Sequence, residues 1–307
     1  MKISIVSTLF FSQETIPEFC QRAALSANGL ADESYEIILV DDGSPDNSLQ
    51  KALEMQKINN KIKIIELSRN FGHHRAMMTG LSHAKGEYIF LIDSDLEEKP
   101  EYLNDFHDSM IDQQADVIYG VQSSRKGGLF ETVSGNWFWK ILNIISGLEF
   151  PKNISTIRLM SQAYVKALLL HQEREIFIAG LWLITGFNQQ PFLINKLSHS
   201  RSSYSLKLKI ELLINSITSF SNKPLVAIFY AGLFIFIAAF IYTLFLIFQW
   251  VFLLKTLAGW TSVMASVWLL GGMIISFIGV IGMYLSKVFT ETKNRPYSIV
   301  KKIHEEN

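Results

Sequence analysis

The sequence predicts an α/β layer built on a mostly parallel sheet, followed by two apolar helices that cross a membrane as a hairpin. Three observations carry that prediction. Apolar runs of strand length alternate with helical patterns across residues 1–120, which is how strands joined by helical crossovers read. Two of these runs end in acidic turns, at Asp41-Asp42 and at Asp93-Ser94-Asp95. Near the C-terminal end stand two uncharged stretches of about 30 residues each, against the roughly 20 that a bilayer core needs.

Taken in order, Ile3–Leu9 reads as a first strand and Thr15–Ala27 as a helix. Tyr35–Val40 is a second strand, closed by the turn Asp41-Asp42-Gly43-Ser44-Pro45-Asp46. Ser48–Ile58 is helical, Lys61–Leu67 a third strand, and His73–Ala84 a helix after the turn Arg69-Asn70-Phe71-Gly72. The run Tyr88–Ile92 is continuously apolar, as in a strand buried on both faces, and stops at Asp93. Ligands of open α/β sheets bind outside the carboxyl ends of the strands, so the two acidic turns share one edge and can converge on one ligand. Asp93 and Asp95 can present hard oxygen ligands to Mg²⁺ or Mn²⁺, which in turn can hold a diphosphate. Asp41-Asp42 is suited to accept hydrogen bonds from a nucleoside base or ribose. Either turn alone also reads as an ordinary solvated turn; the pairing is the more specific signal. No phosphate-cradling Gly-rich loop is present, which argues against P-loop and dinucleotide chemistry. His73 and His74 point in different directions on a helix and make a poor metal pair. A place for them near a phosphate at the helix N-terminus stays open.

The 307 residues are 49% hydrophobic with a mean hydropathy of +0.22, more apolar than an ordinary soluble enzyme, and the excess sits in the last third. A formal charge of zero and a pI near 7.1 give no sign of a nucleic-acid partner. The single cysteine, Cys20, excludes an intramolecular disulfide framework and fits a reducing compartment; in its helix it reads as a small buried apolar residue. Met1–Val6 runs straight into a strand, without a secretory leader pattern.

Beyond residue 120, Arg125-Lys126-Gly127-Gly128 is a basic turn suited to closing over anionic groups, and Trp137–Ile145 is an apolar, aromatic helix. Ile157–Met160 and Phe187–Ile194 read as further strands or strand edges, and Glu173-Arg174-Glu175 as a charged helix face rather than a substrate-facing acid. Tyr204–Phe220 sets Leu and Ile against Lys and Ser at helical spacing, as in a helix lying on a membrane surface. Leu225–Leu254 and Leu257–Ser286 follow as two spans joined by Lys255-Thr256. Basic residues flank both ends: Lys207, Lys209 and Lys223 before, Lys287, Lys293, Arg295, Lys301 and Lys302 after. By the positive-inside rule both termini and the α/β layer lie on the cytoplasmic face of the inner membrane.

With these pieces placed, the chain resembles glycosyltransferase family 2, in its membrane-anchored branch of polyprenyl-phosphate glycosyltransferases. The resemblance runs through Ile38–Ser44, Leu67–Gly72, Met78–Leu81, Ala84–Tyr88 and Ile92–Leu96 with Pro100-Glu101. It continues through Ser203–Ser205, Thr218–Leu225, Gly279–Leu285 and Lys293–Tyr297, so it covers almost the whole chain in order. It implies a GT-A, Rossmann-like fold over residues 1–202, an interfacial helix region at 203–222, transmembrane helices at 225–254 and 257–286, and a cytoplasmic tail at 287–307. It also implies an inverting transfer from a nucleotide-diphosphate sugar, with a UDP-sugar and glucose as the default, to polyprenyl phosphate, and a homo-oligomer. On this resemblance Asp41 and Asp42 contact the nucleoside with Thr8 near the base, and Asp93 and Asp95 bind ribose and the metal bridging the diphosphate. Arg125, Ser134 and Arg201 fall where relatives receive the lipid phosphate.

Three departures stand out. Thr8-Leu9-Phe10-Phe11-Ser12 replaces a Pro-x-Tyr-Asn-Glu pattern, Glu97-Glu98 follow the Asp-x-Asp-Leu, and Thr156 stands where many relatives carry Asp. A lipid phosphate is already anionic, so its attack needs no strong base, only screening of the leaving group and orientation. Two rivals remain: a processive polysaccharide synthase, which the missing Gln-x-x-Arg-Trp segment disfavours, and a membrane scaffold that binds nucleotide-sugars without turnover.

Overall fold

The structure is a computed structural model and describes residues 2–122, 151, 153–174, 176–196, 221, 223–253 and 259–305. Arg125, Ser134, Arg201, the expected helix Trp137–Ile145 and the expected interfacial helix Tyr204–Phe220 lie outside the described residues.

Four strands, β1 (Ile3–Leu9), β2 (Tyr35–Asp41), β3 (Ile62–Leu67) and β4 (Tyr88–Leu91), run parallel, as their continuous apolar runs require. They join β5 (Val117–Gln122), β6 (Ile154–Ser161), β7 (Gln189–Ile194) and β8 (Val300–His304) in an eight-stranded sheet of order β7-β5-β6-β4-β1-β2-β3-β8. β6 is antiparallel to both β4 and β5, and β8 is antiparallel to β3. Alternate residues of each strand face opposite layers. Ile3, Ile5, Ile37, Leu39, Ile62 and Ile64 pack with α1 (Ile16–Ala31), α2 (Ser48–Ile58) and α4 (Tyr102–Asp112). Val6, Ile38, Val40 and Ile65 meet α3 (His73–His83), with α5 (Gln162–Leu168) and α6 (Ile178–Ile184) in the same cluster. Cys20 is buried in the first layer, as expected, and burial pushes its thiol pKa up to about 12. On α3, a side chain at Gly80 would meet Val6 Cγ1 at 2.5 Å, so glycine there lets the helix sit tight on β1. That seat fixes the position of the helix's first residue, His73.

Two long helices follow, α7 (Lys223–Leu253) and α8 (Trp260–Thr292). Among the described residues, one segment, Leu269–Thr292, is a helix long and apolar enough to cross a membrane. Its Ile274, Ile275, Ile278 and Ile281 are exposed. Residues 225–253 of the first expected span lie in α7; Leu254, and Leu257 of the second, lie outside the described residues. Tyr284 on α8 donates to the Ser221 carbonyl at 2.6 Å, tying the end of α8 to the start of α7.

The sheet takes in more of the chain than residues 1–202. After α8 the chain returns and lays β8 along the edge of β3. Gln56 Nε2 donates to the carbonyls of Ile62 and His304, and Glu66 meets both Lys301 and His304 Nε2. The expected charged helix face at Glu173-Arg174 is instead a loop: the Arg174 N–H donates to Glu291 Oε1 at 2.8 Å and its guanidinium meets Asn294. Hydrogen bonding to the end of α8 replaces the helical repeat there.

Candidate active site

The carboxyl ends of β1, β2 and β4 form one edge, and the four predicted carboxylates stand on it. At the end of β2, Gly43 has φ +63°, and a Cβ on it would lie 2.6 Å from the main chain of Arg69 and Asn70. Only glycine lets the two turns touch in this way. Asp42 holds that contact, accepting from the N–H groups of Phe71 at 2.7 Å and Gly72 at 2.9 Å. Its carboxylate therefore organises the Arg69–Gly72 turn. Asp41 accepts from Ser44 N–H at 3.3 Å; burial, and then Glu66 and Asp42 nearby, push its pKa up to about 6.

After β4, Asp93 is half-buried and Asp95 exposed. Asp95 Oδ1 accepts from Glu97 N–H at 3.0 Å, closing a turn in which buried Leu96 takes φ +59°, a left-handed conformation that branched apolar residues rarely adopt. Loss of surrounding water raises the pKa of both carboxyl groups, at Asp95 although its side chain still reaches solvent, and Asp93 adds to the rise at Asp95. Two hard oxygen donors that disfavour each other's charge are suited to a divalent cation, so Asp93 and Asp95 fit Mg²⁺ or Mn²⁺. Among the described residues no three His, Cys, Asp or Glu side chains form a ready-made cage. A pair of carboxylates that shares its metal with substrate phosphates needs none.

Around this pair the structure adds contacts that the sequence did not show. His73 stands between Thr8 and Asp93: its Nδ1 is 3.0 Å from Thr8 Oγ1 and its Nε2 is 3.4 Å from Asp93 Oδ1. Thr8 thus spends its hydroxyl on His73. Thr156, two residues before the Arg158 that pairs with Leu91 of β4, offsets part of the rise that burial causes in the Asp93 pKa. Arg158 of the same strand is fully buried against the Trp182 ring and donates Nε–H to the Thr156 carbonyl at 3.2 Å, which makes it a prop for that strand. Lys196 pairs with Glu97 at 2.8 Å and reaches Glu98 at 3.9 Å. No sequence signal marks Lys196, because its partners lie a hundred residues away in the chain. Phe10 and Phe11 are exposed at the end of β1, their rings 4.8 Å apart, and Phe11 N–H donates to Ser44 Oγ.

Glu98 is buried, its Oε1 engaged by the Ser155 hydroxyl, its Oε2 without a hydrogen-bond partner among the described residues. Burial, then the charge of Asp93, push its pKa up to about 7. The folded value lies above the ordinary 4.5, so this group costs nothing below pH 4.5, and its cost grows up to about pH 7. Glu98→Gln is therefore expected to stabilise the protein at pH 8 by on the order of 2 kcal/mol. Thermal midpoints of the two proteins in detergent should differ at pH 8 and coincide near pH 4.5.

The sequence pattern of "Glycosyl transferase family 2" matches residues 4–169, more than half of the chain. The chain belongs to glycosyltransferase family 2. Similar members include the SfII prophage-derived bactoprenol glucosyl transferase of Shigella flexneri, 30% identical over 313 residues with both chains covered completely. The prophage bactoprenol glucosyl transferase homolog of Escherichia coli (strain K12) is 30% identical over 309 residues, covering 99% of each chain. A Mycobacterium tuberculosis chain carrying a glycosyltransferase name is 45% identical over 304 residues, 99% of this chain and 89% of that one. The fold is similar to glucosyl-3-phosphoglycerate synthase from Mycobacterium tuberculosis, solved with Mn²⁺, UDP and glucosyl-3-phosphoglycerate. That likeness has a TM-score of 0.50 at 17% identity and covers 71% of this chain and 79% of that chain. The family 2 chain therefore has the GT-A fold expected from its sequence, and it is a glycosyltransferase.

Proposed function

We propose that this family 2 member transfers one sugar from a UDP-sugar, with glucose as the donor sugar, to polyprenyl phosphate at the cytoplasmic face of the membrane, with inversion. The observation that carries the reading is the meeting of Asp41 with Asp93 and Asp95 on one sheet edge, a nucleoside acceptor beside a diphosphate-metal pair. Relatives named bactoprenol glucosyl transferase match the chain from end to end, which supports the acceptor. The return of β8 supports a two-span hairpin. The chain leaves the sheet at β7 and rejoins it at β8, so a crossing by Leu269–Thr292 requires a second crossing before it, and α7 supplies the helix. The domain assignment of the sequence, with interfacial residues at 203–222, is part of this proposal.

In this reading Asp41 accepts from the base N–H and the exposed rings of Phe10 and Phe11 offer it an aromatic wall. Asp93 and Asp95 would hold Mg²⁺ or Mn²⁺, which supplies charge screening for the departing nucleoside diphosphate. An oxygen of the lipid phosphate forms the new bond to the anomeric carbon as the bond to UDP breaks. The nucleophile is already anionic, so no proton has to move, and Thr156 in place of an acid is tolerated. Arg125, Ser134 and Arg201 are the proposed receivers of the lipid phosphate.

The test is a panel of radiolabelled nucleotide-sugars offered to the purified chain with undecaprenyl phosphate, with and without Mn²⁺. Labelled lipid from a UDP-sugar is the expected result; UDP-sugar binding without product from any donor would favour the scaffold. A further prediction concerns pH. Asp41 accepts as the carboxylate, which is the main form only above about 6, so UDP affinity should fall as pH drops through that value. The fall is about tenfold per pH unit below it. Calorimetric titrations between pH 5 and 8 should show this slope in the wild type and lose it in Asp41→Asn.

A further inference from the structure

The geometry points to His73 as a positioning residue that holds Asp93 ready for its metal, with Thr8 setting the tautomer. The inference rests on the metal-dependent reading above. A closed circuit of contacts surrounds Asp93. Thr8 Oγ1 lies 3.0 Å from His73 Nδ1, and His73 Nε2 lies 3.4 Å from Asp93 Oδ1. The next residue, Ser94, returns to the start by donating its hydroxyl to the Thr8 carbonyl at 2.9 Å. A neutral imidazole has one donor and one acceptor nitrogen. A lone pair aimed at a carboxylate would repel it, so Nε2 carries the proton and Nδ1 accepts from Thr8. One tautomer satisfies all three groups.

The circuit is anchored on rigid elements. Thr8 lies on β1 between β2 and β4, while His73 opens a helix that Gly80 seats against Val6 and Val40. The turn ahead of that helix is fastened by Asp42 through Phe71 and Gly72 N–H. An ionised carboxylate has about four lone-pair positions, so the approach of His73 to Oδ1 leaves room for a cation. The His73 side chain is 47% exposed, and its two ring nitrogens are engaged by Thr8 and by Asp93. Such outer groups typically change metal affinity by about 10–100-fold when removed.

The test is Mn²⁺ binding to the full chain in detergent with UDP present, read by electron paramagnetic resonance, beside metal-free UDP affinity and thermal midpoint. His73→Phe should weaken Mn²⁺ by about 10–100-fold while the other two readings hold. His73→Gln, which can still donate to Asp93, should retain most of the affinity, and Thr8→Val should fall between them. Unchanged Mn²⁺ affinity in His73→Phe overturns the inference. So does an equal loss of Mn²⁺, UDP and midpoint in both His73 variants, which marks a structural role. A wild type that binds neither UDP nor Mn²⁺ overturns the transferase reading itself, and this inference with it.

Discussion

Asp95→Asn is expected to abolish sugar transfer, by roughly a thousandfold or more, while the protein still folds and inserts. The asymmetry follows from what Asp95 does in the structure. Its Oδ1 accepts from Glu97 N–H, a bond that an Asn amide oxygen reproduces, so the turn through Leu96 is kept. The side chain is exposed, so its replacement leaves no cavity. What disappears is one of two neighbouring charges whose ionised forms disfavour each other. The variant should therefore match or exceed the wild type in thermal midpoint and fail only in transfer of label to undecaprenyl phosphate. Ordinary turnover in this variant would remove Asp95 from the proposed metal site. Asp93→Asn is a less clean probe, because Asp93 also faces His73 and Thr156.

Removing residues 298–307, the segment carrying β8, should disable the catalytic layer although it lies beyond both long helices. Without β8 the edge of β3 is unpaired and its apolar residues become a template for aggregation. Gln56 loses the His304 carbonyl, buried Lys63 loses Glu305, and buried Glu66 loses both Lys301 and His304. The last loss reaches the site. Glu66 pairs with Asp41 across β2 and β3, and Lys301, then His304, hold its carboxyl below the usual range. Stripped of these partners, Glu66 acts on Asp41 as an unscreened negative charge and drives its pKa higher still. The thermal midpoint should fall by about 10 °C or more. UDP affinity at neutral pH should drop in whatever folded protein remains, with its pH midpoint moved upward. A truncated protein with wild-type midpoint and UDP affinity would show β8 to be dispensable.

Much of the site was legible because its signals are local. A strand buried on both faces must be apolar throughout, so β1 to β4 announce themselves. Their abrupt ends at Asp41 and Asp93 place both acidic turns on one edge of a parallel sheet. The helix bounds of α2 follow the apolar spacing of Ser48–Ile58 residue for residue. Where local pattern was the only guide and tertiary contact decided otherwise, the reading failed. Glu173-Arg174 looked like a helix face but forms a loop bonded to residues more than a hundred positions away.

The sequence by itself determined the layer type, the shared edge, the family and the apolar character of the C-terminal third. These depend on periodicity and on residue types within a few positions of each other. The tertiary structure alone decided how the carboxylates divide their work. Asp42 fastens a neighbouring turn, Asp41 stays beside Glu66, Asp93 faces His73 and Thr156, and Asp95 stays exposed. It also decided that the last strand of the catalytic sheet is made after the apolar helices. Such partnerships are set by strand register and helix seating between distant segments, and a hydrogen bond across 248 residues, as from Gln56 to His304, leaves no trace in the local pattern at either end.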